Sequence, residues 1–192
     1  TSPLMLVAAC AKVTRRIRLA PGVVLAPLYN PARLVSEIAF TDALTDGRLI
    51  LGIGSGYQPY EFERFNIDLD DSKEMTGEFL DLMDTAFSSD FFDHKGKHDT
   101  ITNTHISPRP VQKPLKVYLA GDAPQLQRLA ARHGYGAIIA GRTGGVDQVV
   151  QQRERALANF AAEGVPAERV DLAVQRHCCV TRDPATARRF AE

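Results

Sequence analysis

Apolar residues fall along the chain in two alternating patterns, short continuous runs and longer stretches with a helical repeat. Pro3 to Val13 carries Leu4, Val7, Ala8 and Ala11 on one helical face, with Ser2 placed to cap it ahead of Pro3. Ile17 to Leu25 reads as a strand interrupted by Pro21 and Gly22, because proline inside a central strand requires a bend or bulge. Asn30-Pro31 starts a helix whose Leu34, Val35, Ile38 and Leu44 face a core until Asp46-Gly47 stops it. Arg48 to Gly54 is then a buried strand, with the run Leu49, Ile50, Leu51 and Ile53 leading into Gly52, Gly54 and Gly56.

Tyr57 to Ser72 is polar and aromatic without a clear period and reads as a long loop carrying Glu61, Glu63 and Arg64. Lys73 to Phe87 is helical again, with Phe79, Leu82, Met83, Ala86 and Phe87 on one stripe. Phe91 to Pro114 reads as an irregular insertion holding one hairpin. Lys116 to Gly121 is an apolar strand, and Asp122 stands in position to cap the helix that follows, where Leu126, Leu129, Ala130 and His133 precede Gly134. Gly136 to Gly141 is a fourth strand, Val146 to Ala162 an amphipathic helix ending at Gly164, and Asp171 to Val180 a fifth strand. Asp183-Pro184 opens a last helix. Strand and helix alternating with short links predict a parallel sheet with right-handed crossovers. A barrel and a doubly wound sheet both fit. In either, ligands bind at the carboxyl ends of the strands, here at Gly22, Gly54, Gly121 and Gly141, so one broad pocket lined by backbone is expected.

The glycines after Ile50 also invite a dinucleotide-loop reading. Tyr57 stands where its third glycine belongs, and Pro59 and two glutamates follow instead of an apolar helix, which argues against it. A plain glycine-rich turn is the other reading. Lys plus Arg equals Asp plus Glu at 23 each, so no net field attracts a polyanion, and nucleic acid and anionic membranes are poor partners. No apolar run approaches the roughly 20 residues that span a bilayer, and Thr-Ser-Pro-Leu-Met is not a signal peptide, so a cytoplasmic protein is expected. Cys10, Cys178 and Cys179 have no Cys-x-x-Cys spacing, which argues against a disulfide framework and a zinc site. The chain reads as a fragment beginning inside a helix.

The run Arg16-Ile-Arg-Leu-Ala-Pro-Gly-Val-Val-Leu-Ala-Pro, then Asn30-Pro, then Gly47-Arg-Leu-Ile-Leu-Gly-Ile-Gly-Ser-Gly-Tyr with Glu61 and Phe65, resembles the bacterial-luciferase-like flavin-dependent monooxygenases. The likeness continues through Phe92-Asp-His-Lys-Gly, Pro108-Arg-Pro-Val-Gln-Lys-Pro, Val117-Tyr-Leu-Ala-Gly and Ala130-Ala-Arg-His-Gly-Tyr-Gly to Arg176-His-Cys-Cys-Val-Thr. Each motif is weak alone, but their order and spacing cover nearly the whole chain. The resemblance implies that residues 1–192 form one partial (β/α)8 TIM-barrel domain supplying the third to seventh strands. It also implies binding of FMN, or in one branch a deazaflavin, over a cis peptide at Pro21-Gly22-Val23, with the cis bond at Gly22 to Val23 or one residue earlier.

The flavin phosphate is then expected between Gly54 and Ser55 on one side and Gly121, Asp122 and Ala123 on the other, where helix amides favour an anion. Many relatives carry Arg at the place of Ser55 and a hydroxyl at the place of Ala123, so the clamp here is thinner; Asp122 repels a phosphate unless only its amide is used. Arg142, after Gly141 at the end of the sixth barrel strand, is a candidate to compensate. The implied reaction is oxidation of a small organic substrate by O2 with reduced FMN from a separate flavin reductase, in a homodimer. The alternatives are a deazaflavin-dependent oxidoreductase and a non-catalytic flavin-binding barrel.

The resemblance places the catalytic histidine of several relatives on a strand preceding Thr1, so no catalytic acid or base transfers to this chain. His177, on a strand with Gln175, is a candidate proton donor, with a hydrogen-bonded structural histidine as the plainer reading. His94 and His98 have i, i+4 spacing, but Gly96 between them argues against a helix and so against a metal pair. Glu37 and Asp42 read as polar positions on a barrel helix facing a subunit, and Cys178-Cys179 as buried packing.

Overall fold

Five short apolar runs become one parallel sheet. The computed structural model describes residues 2–140, 145–176 and 179–191. In chain order the elements are α1 (Pro3–Val13), β1 (Val24–Leu25), α2 (Pro31–Leu44), β2 (Leu51–Gly54), α3 (Pro59–Glu63), α4 (Ser72–Ser88) and β3 (Phe92–Lys95). There follow β4 (Thr100–Thr104), β5 (Val117–Ala120), α5 (Pro124–Arg132), β6 (Gly136–Ala140), α6 (Val146–Ala161), β7 (Leu172–Gln175) and α7 (Pro184–Ala191). The sheet runs β1-β2-β5-β6-β7, every pair parallel, while β3 and β4 form a separate antiparallel hairpin inside the expected insertion. A doubly wound sheet reverses its strand order at a switch point. This order never reverses, so the chain winds one way around an axis and forms an incomplete (β/α) barrel.

Val24, Leu51, Ile53, Val117, Leu119, Ala137 and Ile139 are buried because helices cover one face of the sheet and strand side chains fill the other. Leu34, Val35 and Ile38 of α2, and Leu80 and Met83 of α4, complete the core. The interrupted first strand is as expected: only Leu19 bridges Leu49, and ladder pairing resumes at Val24 opposite Ile53, beyond Pro21 and Gly22. β7 ends at Gln175, shorter than the expected run to Val180, and α3 lies within the stretch read as loop.

Asn30 caps α2 as predicted, its side chain accepting from Arg33 N at 3.0 Å, and Asp46 and Gly47 stop that helix with φ of 54° and 69°. Ser2 makes no side-chain cap bond; Pro3 has already removed one of the amides a cap would serve.

The hairpin is fastened to α4 by one carboxylate. Glu78 accepts from the Lys97, His98 and Asp99 amides at 2.9, 3.0 and 2.9 Å, and a Cβ on Gly96 would lie 1.8 Å from its Oε1, so any side chain at that turn would push the carboxylate off these amides. Burial pushes the Glu78 carboxyl up, but hydrogen bonds from the His98 and Asp99 amides, from His94 and from the Lys97 amide outweigh it and hold the group below its ordinary value of 4.5. A carboxyl lowered by folding stabilises the fold above its unfolded value, and that contribution is lost as pH falls through the lowered one. Glu78→Gln is therefore expected to cost about 1–3 kcal/mol at neutral pH. It should also flatten the loss of stability below pH 4.5, read by thermal unfolding across that window.

Candidate functional site

The carboxyl ends of β1, β2, β5, β6 and β7 surround a cavity of about 580 Å³, within the size range of small-molecule sites. Gly22, Val23, Gly54 and Ser55 line one side of it. Gly121, Asp122 and Ala123 line the other, so seven residues named from the sequence meet around one space. Pro21 is not in the lining; its carbonyl packs behind, against Gly52. Gly141 and Arg142 lie outside the described residues. The Gly22-Val23 peptide is cis, at the bond the resemblance implied.

Three features leave room for a ligand. A Cβ on Gly22 would meet nothing within 4 Å, so that edge is open, whereas a Cβ on Gly54 would lie 2.7 Å from Val23 Cγ2, so the strand approaches closely there. Ser55 is buried at 4 % exposure, and among the described residues its hydroxyl has only a 3.5 Å contact to the Gly56 carbonyl. The amides of Asp122 and Ala123 donate no hydrogen bond among the described residues, at the N-terminal end of α5 where partial positive charge gathers.

Asp122 corrects the expectation that it caps α5. Ala123 holds the cap position, and the Asp122 carboxylate reaches sideways, accepting from Ala140 N at 3.2 Å and Gln152 Nε2 at 3.4 Å. It thereby satisfies an amide at the end of β6 and ties β5, β6 and α6 together, while its own amide donates to nothing among the described residues.

Lys73, in the first turn of α4, lines the same cavity and brings a cation to it. The sequence marks it only as a polar residue near a helix start, so its place was not legible there. Gln175 lines the cavity from β7, as do Tyr57 and Glu61 from the segment after β2. Tyr60, also in the lining, carries the Arg64 guanidinium 5.3 Å from its ring centre.

Other candidates fall elsewhere. His177 lies outside the described residues. His94 sits on β3, 3.4 Å from Glu78, and His98 in the turn beyond it, so the two share no helix. His98 does share a cluster with Asp71 and Glu74 whose ligand atoms lie within 4.8 Å, but the Lys97 ammonium already sits 2.7 Å from Glu74. Asp42 is corrected: it faces inward, fully buried, accepting from Gln112 N at 2.9 Å and Gln112 Nε2 at 2.7 Å. Glu37 pairs with Arg33 at 2.7 Å. Cys179 is exposed rather than packed, since β7 ends before it; Cys178 lies outside the described residues. No helix among the described residues is long and apolar enough to cross a membrane.

The sequence profile of the family described as luciferase-like monooxygenase matches residues 1–192. The chain is 29 % identical to the oxygenase component of a flavin-dependent trigonelline monooxygenase from Acinetobacter baylyi, over 69 % of this chain and 38 % of that one. It is 31 % identical to an F420-dependent glucose-6-phosphate dehydrogenase from Amycolatopsis mediterranei, over 71 % of this chain and 42 % of the other. Its fold superposes on the crystal structure of the monooxygenase RslO1 from Streptomyces bottropensis with a TM-score of 0.87 at 26 % identity, covering 98 % of this chain and 58 % of that one. The chain thus spans about half the length, or less, of the relatives it matches.

Proposed function

The chain belongs to the luciferase-like monooxygenase family, and from that premise we propose that it is the FMN-binding oxygenase part of a flavin-dependent monooxygenase. The observation that carries the reading is the convergence of Gly22, Gly54, Ser55, the Asp122 and Ala123 amides and Lys73 on one cavity. The two amides and the Lys73 ammonium would hold the phosphate, the amides as fixed donors and the lysine as a point charge. Ser55 adds a hydroxyl at the end of β2, and the open edge at Gly22 and Val23 accepts a flat ring without a side chain in the way. Arg142, if it reaches the same end, is a second candidate cation.

Bound in its reduced form, FMN supplies the two electrons by which O2 is split, one atom entering a small organic substrate and the other leaving as water. The chain's own residues bind, orient and exclude water. A separate reductase would deliver the reduced flavin, as the words "oxygenase component" in the name of the Acinetobacter relative suggest for that protein. A homodimer would cover the apolar surface where Met5 and Leu6 of α1 and Phe40 of α2 are more than half exposed.

The relative named for F420, a deazaflavin, supports a second reading, hydride transfer from that cofactor in the same cavity. The test is to load the full chain anaerobically with reduced FMN or reduced F420 and then admit oxygen. The monooxygenase reading expects a saturable complex with reduced FMN that takes up oxygen; binding of F420 alone, without oxygen uptake, would favour the second reading and overturn the first.

A further inference from the structure

Behind the β5–α5 loop lies a buried amide that packing alone does not require. Gln127, on α5, is 2 % exposed. Its Nε2 donates to the Gly121 carbonyl at 3.3 Å, and its Oε1 accepts from Asn159 Nδ2 of α6 at 2.7 Å. A buried amide is costly unless both ends are paired, and leucine fills a similar volume at no such cost, so these two bonds are what the glutamine contributes there.

The bond to Gly121 acts on one peptide unit. In a planar trans peptide the C=O and the following N–H point in opposite directions. Drawing the Gly121 carbonyl towards Gln127 therefore turns the Asp122 N–H away from α5's buried face, and that N–H is one of the two without an acceptor among the described residues. Gly121 adopts φ 148°, and a Cβ there would lie 2.6 Å from Leu126 Cδ1, so Gly121 carries no side chain of its own to fix its carbonyl. On the other side the Asp122 carboxylate is tied to Ala140 and Gln152, so the peptide is held from both ends.

We propose that Gln127, steadied by Asn159, is a positioning residue that sets the Gly121-Asp122 peptide so that the Asp122 amide is offered to an anion in the cavity, a role that rests on the flavin-phosphate reading above. It acts on the phosphate end of the ligand and not on the ring.

The test measures the affinity of the full chain for FMN, for riboflavin, which lacks the phosphate, and for inorganic phosphate, in the wild type, Gln127→Leu and Asn159→Ala. Gln127→Leu is expected to weaken FMN and phosphate about tenfold, the worth of one hydrogen bond to a charged group, with riboflavin unchanged within about twofold. Asn159→Ala, at a half-buried position, should shift the same ratio in the same direction and decides the matter if Gln127→Leu does not fold. Unchanged FMN affinity, equal weakening of FMN and riboflavin, or a wild type that binds both equally would overturn the proposal. A wild type that binds neither flavin but binds phosphate in a Gln127-dependent way would sink the flavin reading and leave this one standing; if none of the three binds, both fall.

Discussion

Gly52→Ala is expected to destabilise the protein by about 3 kcal/mol and to abolish binding in the cavity, although Gly52 itself does not line it. Gly52 is buried in the middle of β2, and a Cβ there would lie 2.3 Å from the Pro21 carbonyl oxygen and 3.3 Å from Val23 Cγ1. A clash with a flexible side chain relaxes by rotation; a clash with a carbonyl moves backbone. The backbone that must move is the segment from Pro21 to Val23, which forms the open edge of the site. In a chain of this size the expected fall in melting temperature is roughly 6–12 °C. Circular dichroism melts with parallel ligand titrations check both halves, and a variant that melts with the wild type and binds like it contradicts the packing described for β1 and β2.

Asp42→Ala is expected to cost about 2–3 kcal/mol through a different route. Its two carboxylate oxygens accept the backbone and side-chain amides of Gln112, which join α2 to the segment leading into β5. Removing them leaves the half-buried Gln112 backbone amide without a partner, while Gln112 Nε2 keeps its bond to the Leu49 carbonyl at 2.8 Å. The segment around Gln112 should then open locally, and limited proteolysis should cut there faster than in the wild type. Equal cleavage and equal melting would show that the Gln112 bonds carry no net stability.

These two residues also show what the amino-acid pattern reveals and what it hides. The strands from Leu49 to Ile53, Val117 to Ala120 and Gly136 to Ala140 were legible because a strand covered on both faces reads as an unbroken apolar run. Their winding was not: alternation of strand and helix fits a barrel and a doubly wound sheet equally, and only the resemblance and the observed strand order separate them. Asp42 follows Val35, Ile38 and Ala39 at helical spacing, so its place on the buried stripe was readable, but a carboxylate is assigned to solvent until a partner is seen, and Gln112 is 70 residues away. Helix α3 was missed because five residues cannot show a period, even though Pro59 opens it and the buried Phe62 anchors it.

The site divides in the same way. Gly22, Gly54 and Gly121 announced themselves as glycines ending strands, where backbone must come close to something. Lys73 and Gln127 did not, since an ordinary lysine in a first turn and a glutamine in an amphipathic helix look like solvated surface. Their roles depend on which loop the fold lays beside them.

The most direct test of the cavity as a flavin site is to titrate the full chain with FMN and follow the quenching of its fluorescence. Saturable binding of one FMN per chain is predicted, weakened about tenfold by Lys73→Glu, which reverses the one cation that lines the cavity among the described residues. No saturable binding of FMN or of F420 to the wild type would contradict the account.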